Sequence, residues 1–174
     1  MSEKVYIVDG KRIPQCKAGA ELKDVPPPFL LSGLLRHLLS TQGIPMEDVD
    51  EVVVGNAGAP ASFANIARIA ALEAGIPFSV PAYTVHRNCA SGMEALAQAF
   101  LKISQGQAHV MLAGGVESMS QMPLYYGPAM TTFFTSLNKA KTLGEKLKVF
   151  ASFRLHFLKP VVAIEQGLTD SYCG

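Results

Sequence analysis

Cys89 is followed by three small residues, Ala90, Ser91 and Gly92, and then by apolar residues at Met93, Leu96, Phe100 and Ile103, spaced 3, 4 and 3. That spacing predicts a helix over Cys89 to Gln105, and the Val80–Val85 run before it predicts a strand. A cysteine at a strand-to-helix junction meets the unpaired N–H groups and partial positive charge of the helix start, which favour the thiolate. The same N–H groups can hold an acyl oxygen as negative charge develops on it. Small neighbours leave the backbone open to a substrate, so the chemistry indicated is nucleophilic acyl capture at sulfur. The competing reading is an inert buried thiol.

The other reactive side chains carry weaker signals. His86 stands three residues before Cys89 and is a candidate base, although a strand residue at that distance need not point the same way. His37 follows Arg36 on a leucine-rich helix and reads as surface; His109 opens a strand and reads as structural. His156 lies in a basic segment, where contact with a phosphate is one reading. Cys16 and Cys173 have no helix-start setting. Gly114-Gly115 falls at a strand's C-terminal end, where α/β sheets place ligands. Three cysteines without CxxC spacing support neither a disulfide framework nor a zinc site, and no metal is expected.

These residues need a scaffold. Val5–Val8 reads as a strand, followed by a turn-rich stretch through Pro14, Gly19 and Pro26-Pro27-Pro28. Leucines at 30, 31, 34, 35, 38 and 39 predict a helix stopping at Gly43. Further strands are expected at Glu51–Gly55 and His109–Ala113, with a helix from Asn65 to Ala74. Strands without alternation, separated by helices, imply an α/β fold with a mainly parallel sheet covered on both faces. Residues 121–174 show no strand alternation. Between Leu137 and Lys159, six basic side chains stand against Glu145 alone, a net +5 that leaves −4 on the rest of the chain. With Leu143, Leu147 and Phe150 at helical spacing, 137–159 reads either as a basic amphipathic hairpin packed on its own protein or as a membrane- or partner-binding surface.

Composition narrows the classes. The 174 residues carry net charge +1, with 49% hydrophobic and 17% charged residues, which argues against a disordered chain and against nucleic acid as partner. The longest apolar runs fall far short of the ~20 residues that span a bilayer. Met1 leads directly into strand-like sequence, so neither a signal nor a transit peptide is expected, and the expected location is cytoplasmic.

Several ordered motifs resemble the thiolase family. Val85-His86-Arg87-Asn88-Cys89-Ala90-Ser91-Gly92-Met93-Glu94-Ala95-Leu96 is similar to its acyl-enzyme signature, and Ala113-Gly114-Gly115-Val116-Glu117-Ser118-Met119-Ser120 to the loop after the next strand. Gly10-Lys11-Arg12-Ile13-Pro14 is similar to the family's Arg-Thr-Pro segment, with Ile13 in place of threonine, and Asn65-Ile66-Ala67-Arg68 also fits. Leu137–Lys141, Phe153–Leu158 and Pro160 resemble the loop-domain insertion of the trifunctional-protein β-subunit branch. At position 86 the family usually has a small polar residue.

The resemblance implies a thiolase-like α/β/α sandwich in residues 1–120, carrying the nucleophile, and part of a helical loop domain in 121–174. The C-terminal half is expected to be absent and the sheet to lack its last strand. It implies that Cys89 attacks the 3-keto carbon of a 3-oxoacyl-CoA, with its own backbone N–H as a candidate oxyanion donor and CoA as co-substrate rather than bound cofactor. It also implies a homodimer, a hydratase–dehydrogenase partner subunit and peripheral membrane contact through 137–159. In the family the activating histidine and second cysteine lie in the C-terminal half, and neither motif occurs in these residues. Three alternatives stay open: acetoacetyl-CoA formation from two acetyl-CoA, a decarboxylating ketoacyl synthase, and a catalytically incomplete half serving only as a partner chain.

Overall fold

Three consecutive prolines set the start of the first helix rather than postponing it. The computed structural model describes residues 4–58, 60 and 62–162. In it Pro26 is extended (φ −65°, ψ 148°) and precedes α1 (Pro27–Gln42), whose first turn holds Pro27 and Pro28. The first turn has no intrahelical use for those N–H groups, so the expected turn through 26–28 is corrected to a helix start. Gly43 ends α1 in the left-handed conformation (φ 64°), and the Ile44 N–H donates back to the Leu39 carbonyl at 3.1 Å.

The chain divides into two units, Met1–Gln121 and Met122–Gly174. In the first, β1 (Glu51–Gly55), α2 (Ile66–Ala74), β2 (Ala82–Val85), α3 (Ser91–Ser104) and β3 (Met111–Gly115) follow α1. The strands form a parallel sheet in the order β2-β1-β3, with Gly55 opposite both Val85 and Gly115. Parallel strands need crossovers, and α2 and α3 supply them.

Side-chain alternation sorts the helices onto the two faces. Val52, Val54 and Leu112 share one buried cluster with Leu31, Leu35 and Leu39 of α1 and with Ile66, Ala67, Ala70 and Ala74 of α2. Gly55 and Gly115 point to the opposite face, where the first turn of α3 lies against them. Burying a valine or leucine fully is worth about 1.5–3 kcal/mol, so the triple-valine strand anchors both layers. At the other end of α3, the Lys102 ammonium pairs with Glu51 and lies 5.1 Å from the Tyr83 ring centroid. The Glu51 hydrogen bond raises the Lys102 pKa, against a smaller opposing effect of burial.

Two sequence expectations for this unit are corrected. Val5–Val8 forms no strand; Tyr6, Ile7 and Val8 are 74%, 90% and 72% exposed. Apolar composition suits a strand but supplies no ladder partner, and none pairs with this run among the described residues. The last strand runs Met111–Gly115 rather than His109–Ala113, which puts Gly114 and Gly115 inside it. On α3 the large apolar residues face outward: Met93, Leu96 and Phe100 are exposed, and the buried stripe is Ser91, Ala95 and Ala99. Glycines on the sheet admit a helix that approaches on small residues, so the small stripe takes the inner face.

In the second unit, β4 (Leu124–Tyr126) pairs antiparallel with β5 (Pro160–Val162), Tyr125 opposite Val161. Strands of three residues are too short to show alternation, which is why the sequence reads as strandless here. Between them lie α4 (Pro128–Lys139) and α5 (Leu143–Ala151). Phe133 is buried, with its ring centroid 5.3 Å from that of Phe153, 5.8 Å from Phe134 and 6.0 Å from Phe150. Thr142 and Glu145 form a reciprocal capping box at the start of α5. Two backbone donors, Thr142 first and then Lys141, hold the Glu145 carboxyl below its ordinary pKa. Leu143, Leu147 and Phe150 share helical spacing and all are exposed.

Candidate functional site

Cys89 sits in a tight turn just before α3 rather than in its first turn. The helix starts at Ser91, with Ala90 as N-cap, which corrects the expected start at Cys89 by two residues. Ala90 N–H donates to the Arg87 carbonyl (3.0 Å) and Ser91 N–H to the Asn88 carbonyl (3.1 Å). The buried Ser91 hydroxyl closes the turn from both sides: it accepts from Arg87 N–H at 2.8 Å and donates to the Asn88 carbonyl at 2.7 Å. Asn88 takes a left-handed conformation (φ 48°), one that asparagine tolerates better than most side chains. The result is a free, exposed thiol lifted at the head of a helix, which removes the buried-thiol reading.

Close backbone approach holds this turn against the sheet. A Cβ built on Gly55 would overlap the Ser91 carbonyl and the Gly92 nitrogen, and one on Gly115 would stand 3.2 Å from Gly92 Cα. Gly114 has nothing within 4 Å. Of the Gly114-Gly115 pair, therefore, only Gly115 answers a packing need. Sequence reasoning missed Gly55 and Ser91. Gly55 ends a valine strand, and a glycine there is a signal of close approach.

The strand ends around Cys89 are tied together. Glu117, just past β3, accepts from the Asn56 side-chain amide (3.0 Å) and from the Ala57 (2.8 Å) and Gly58 (2.9 Å) backbone N–H groups. Asn56 is buried, and its amide also donates to the Val116 carbonyl at 2.8 Å. Arg87 and Glu94 form an exposed ion pair at 2.7 Å. The Glu94 carboxyl lies below its ordinary pKa, first through Gln98 and then through Arg87.

The remaining candidates make other contacts. His86 Nε2 lies 3.1 Å from the Ala57 carbonyl; a carbonyl only accepts, so in this contact that nitrogen donates to the backbone. His37 is exposed on α1 beside Thr41, 3.5 Å from its Oγ1. The His109 backbone N–H donates to Asp50 (2.6 Å), and Val110 N–H to the same oxygen (3.0 Å). The His156 ring stacks edge-on to Phe157 at 4.7 Å in the second unit. Cys16 is exposed and lines a cavity of about 560 Å³ together with Arg12, Lys23, Leu30 and Gly115; Cys89 does not line it. Cys173 lies outside the described residues. Among the described residues no three His, Cys, Asp or Glu side chains are placed to hold a metal ion.

Residues 5–152 match the family model of the thiolase N-terminal domain. The chain is 39% identical over 173 residues to the mitochondrial trifunctional enzyme subunit beta of Mus musculus, covering 99% of this chain and 36% of that protein. It is 32% identical over 159 residues to a 3-ketoacyl-CoA thiolase of Photorhabdus laumondii, covering 91% and 36%. A crystal structure of the Bacillus anthracis acetyl-CoA acetyltransferase is similar with a TM-score of 0.61 at 40% identity, covering 63% of this chain and 28% of that one. The chain thus spans about a third of the length of the curated relatives it matches.

Proposed function

The chain belongs to the thiolase family through its N-terminal domain, and from that premise we propose that it carries the acyl-accepting nucleophile of a 3-ketoacyl-CoA thiolase. The observation that carries the proposal is the Cys89 turn: an exposed thiol before a helix start, at the C-terminal end of a parallel sheet. The Cys89 sulfur attacks the 3-keto carbon, the C2–C3 bond breaks, and its electron pair leaves with the acetyl-CoA fragment, which takes up a proton. The acyl group remains as a thioester on Cys89 until the sulfur of a second CoA attacks it and Cys89 leaves. Each step exchanges one carbon–sulfur bond for another or forms one as a carbon–carbon bond breaks, which suits a nucleophile that is also a good leaving group.

Acetyl capture from acetyl-CoA and its return to CoA move an acyl group between two sulfurs and require no carbon–carbon bond to break. Exchange of isotopically labelled CoA into acetyl-CoA tests this half-reaction alone. The chain should catalyse the exchange and Cys89→Ala should abolish it. Equal exchange by both proteins would overturn the proposal, and no exchange by a folded chain would favour the partner-only alternative. The name of the Bacillus anthracis neighbour supports the acetoacetyl-CoA alternative; comparing acetoacetyl-CoA with longer 3-oxoacyl-CoA substrates, in a full-length thiolase that carries this segment, separates the two.

We further propose that the basic second unit contacts a membrane surface. Leu143, Leu147 and Phe150 are 75%, 62% and 56% exposed on α5, beside Lys146 and Lys148. The contact proposed is peripheral, through an exposed apolar and basic helix face; no helix among the described residues is long and apolar enough to cross a membrane. Co-sedimentation with vesicles should rise with anionic lipid content; indifference to it would refute this. The β-subunit relatives support assembly with a second kind of subunit, and the family supports a homodimer; both are read by native mass measurement with the partner chain present.

A further inference from the structure

We propose that Glu117 is a positioning residue for Cys89, acting through the Ala57–Gly58 backbone and His86. The inference rests on the reading of Cys89 as nucleophile, and it concerns how that residue is held. Glu117 follows β3, residues 56–58 follow β1, and His86 follows β2, so one network joins the exits of all three strands. Its parts are short. One carboxylate oxygen of Glu117 takes both the Ala57 and Gly58 N–H groups at 2.8 and 2.9 Å, and the other takes the Asn56 amide at 3.0 Å.

Two successive backbone N–H groups converging on one oxygen make a small anion nest, filled here by the protein's own carboxylate. Hydrogen bonds to an ionised acceptor are roughly twice as strong as neutral ones. Glu117 therefore sets where the Ala57 carbonyl points, and that carbonyl receives His86 Nε2–H at 3.1 Å. His86 leads directly into the Arg87–Ser91 turn that presents Cys89. On the inner side the same turn meets Gly55 and Gly115, the residues on which β1 and β3 enter these loops. The turn is thus gripped by the sheet from one side and tethered through His86 from the other. His86, which sequence alone marks as a candidate base, takes a tethering role in this account.

Glu117→Gln keeps the size of the side chain but replaces one acceptor with a donor, set against three existing donors. Glu117→Asp keeps the charge and shortens the reach by one methylene. The experiment compares both variants with the unmodified chain by three readouts: amide exchange at Ala57 and Gly58, the nitrogen shifts of the His86 ring, and mass-mapped alkylation of Cys89 by iodoacetamide. Amide exchange at Ala70 and Ala71, on the buried face of α2, serves as an internal control for general loosening. For Glu117→Gln we expect amide exchange at Ala57 and Gly58 at least ten-fold faster, loss of the single His86 tautomer, and Cys89 alkylation changed at least three-fold, with exchange at Ala70 and Ala71 unchanged. Glu117→Asp should restore part of each.

Unmoved His86 signals would overturn the inference, as would moved signals with Cys89 reactivity unchanged. Exchange at Ala70 and Ala71 that rises as much as at Ala57 and Gly58 would also overturn it, because it would reduce the network to a general structural role. None of these readouts requires acyl transfer. If the unmodified chain takes no acyl group, the nucleophile reading fails separately, and alkylation still decides the role of Glu117.

Discussion

Replacing Gly55 with alanine would place a methyl carbon against the Ser91 carbonyl and the Gly92 nitrogen. These are backbone atoms of a helix start, so no rotamer change can relieve the overlap. Carbon and its non-bonded neighbours settle at about 3.5–4.0 Å, so α3 must retreat from β1 by about an ångström. Overpacking of this kind typically costs about 1–3 kcal/mol, and the upper part of that range applies where backbone must move. The shift would fall on the turn that carries Cys89, and a misplacement of about 1 Å can cost on the order of 100-fold in rate. Gly114→Ala is the matched control, since its Cβ would enter open space. Urea unfolding of the three proteins, with CoA exchange measured alongside, gives stability and reactivity on the same samples. Gly55→Ala should lose about 2–3 kcal/mol and most of its exchange activity, whereas Gly114→Ala should stay within about 0.5 kcal/mol. If Gly55→Ala matched the control in both readouts, the account of how α3 docks would be refuted.

Other perturbations test other parts. Ser91→Ala removes both hydroxyl bonds that close the Cys89 turn and should cost about 1–2 kcal/mol by urea unfolding, with Cys89 alkylation altered as the turn opens; no change in either would show that the turn closes without Ser91. Leu96→Gln and Phe100→Gln on the exposed side of α3 should stay within about 0.5 kcal/mol, whereas Ala95→Leu on its buried stripe should destabilise by about 1–3 kcal/mol; the reverse order would put the apolar stripe inside after all. Asp50 is held below its ordinary pKa of 3.8 first by Val110 N–H and then by His109 N–H. A depressed carboxyl contributes stability above its unfolded pKa and loses it as pH falls through the folded value. The urea midpoint should therefore drop between about pH 5 and 3, and drop less in Asp50→Asn; equal slopes would deny Asp50 that role.

The order of strands and helices in the first unit was legible because periodicity and glycine stops mark it, and Cys89 stood out by its setting at a strand-to-helix junction. The orientation of α3 was not legible. Two stripes of helical spacing lie on it, one large (Met93, Leu96, Phe100) and one small (Ser91, Ala95, Ala99), and hydrophobicity favours the wrong one. What decides between them is the sheet surface, where Gly55 and Gly115 admit only the small stripe, and that is a tertiary fact. The prolines at 26–28 misled for a local reason, since the same residues that break a helix interior suit its first turn. Val5–Val8 has strand composition, but strand formation depends on a neighbour that composition does not reveal. The Glu117 network was hidden because its partners are 60 residues away and two of them are backbone N–H groups. In the second unit, the helical spacing of Leu143, Leu147 and Phe150 was read correctly, whereas the three-residue strands β4 and β5 were below the length at which alternation can be seen.

The Cys89 turn, as this chain builds it, is proposed to accept an acyl group. The most direct test is the intact mass of the 174-residue chain after exposure to acetyl-CoA, with peptide mapping and Cys89→Ala and Cys16→Ala in parallel. One acetyl group is expected, mapped to Cys89, retained by Cys16→Ala and absent from Cys89→Ala. A folded chain that stays unmodified, or one acetylated equally at Cys16 and Cys89, would contradict it.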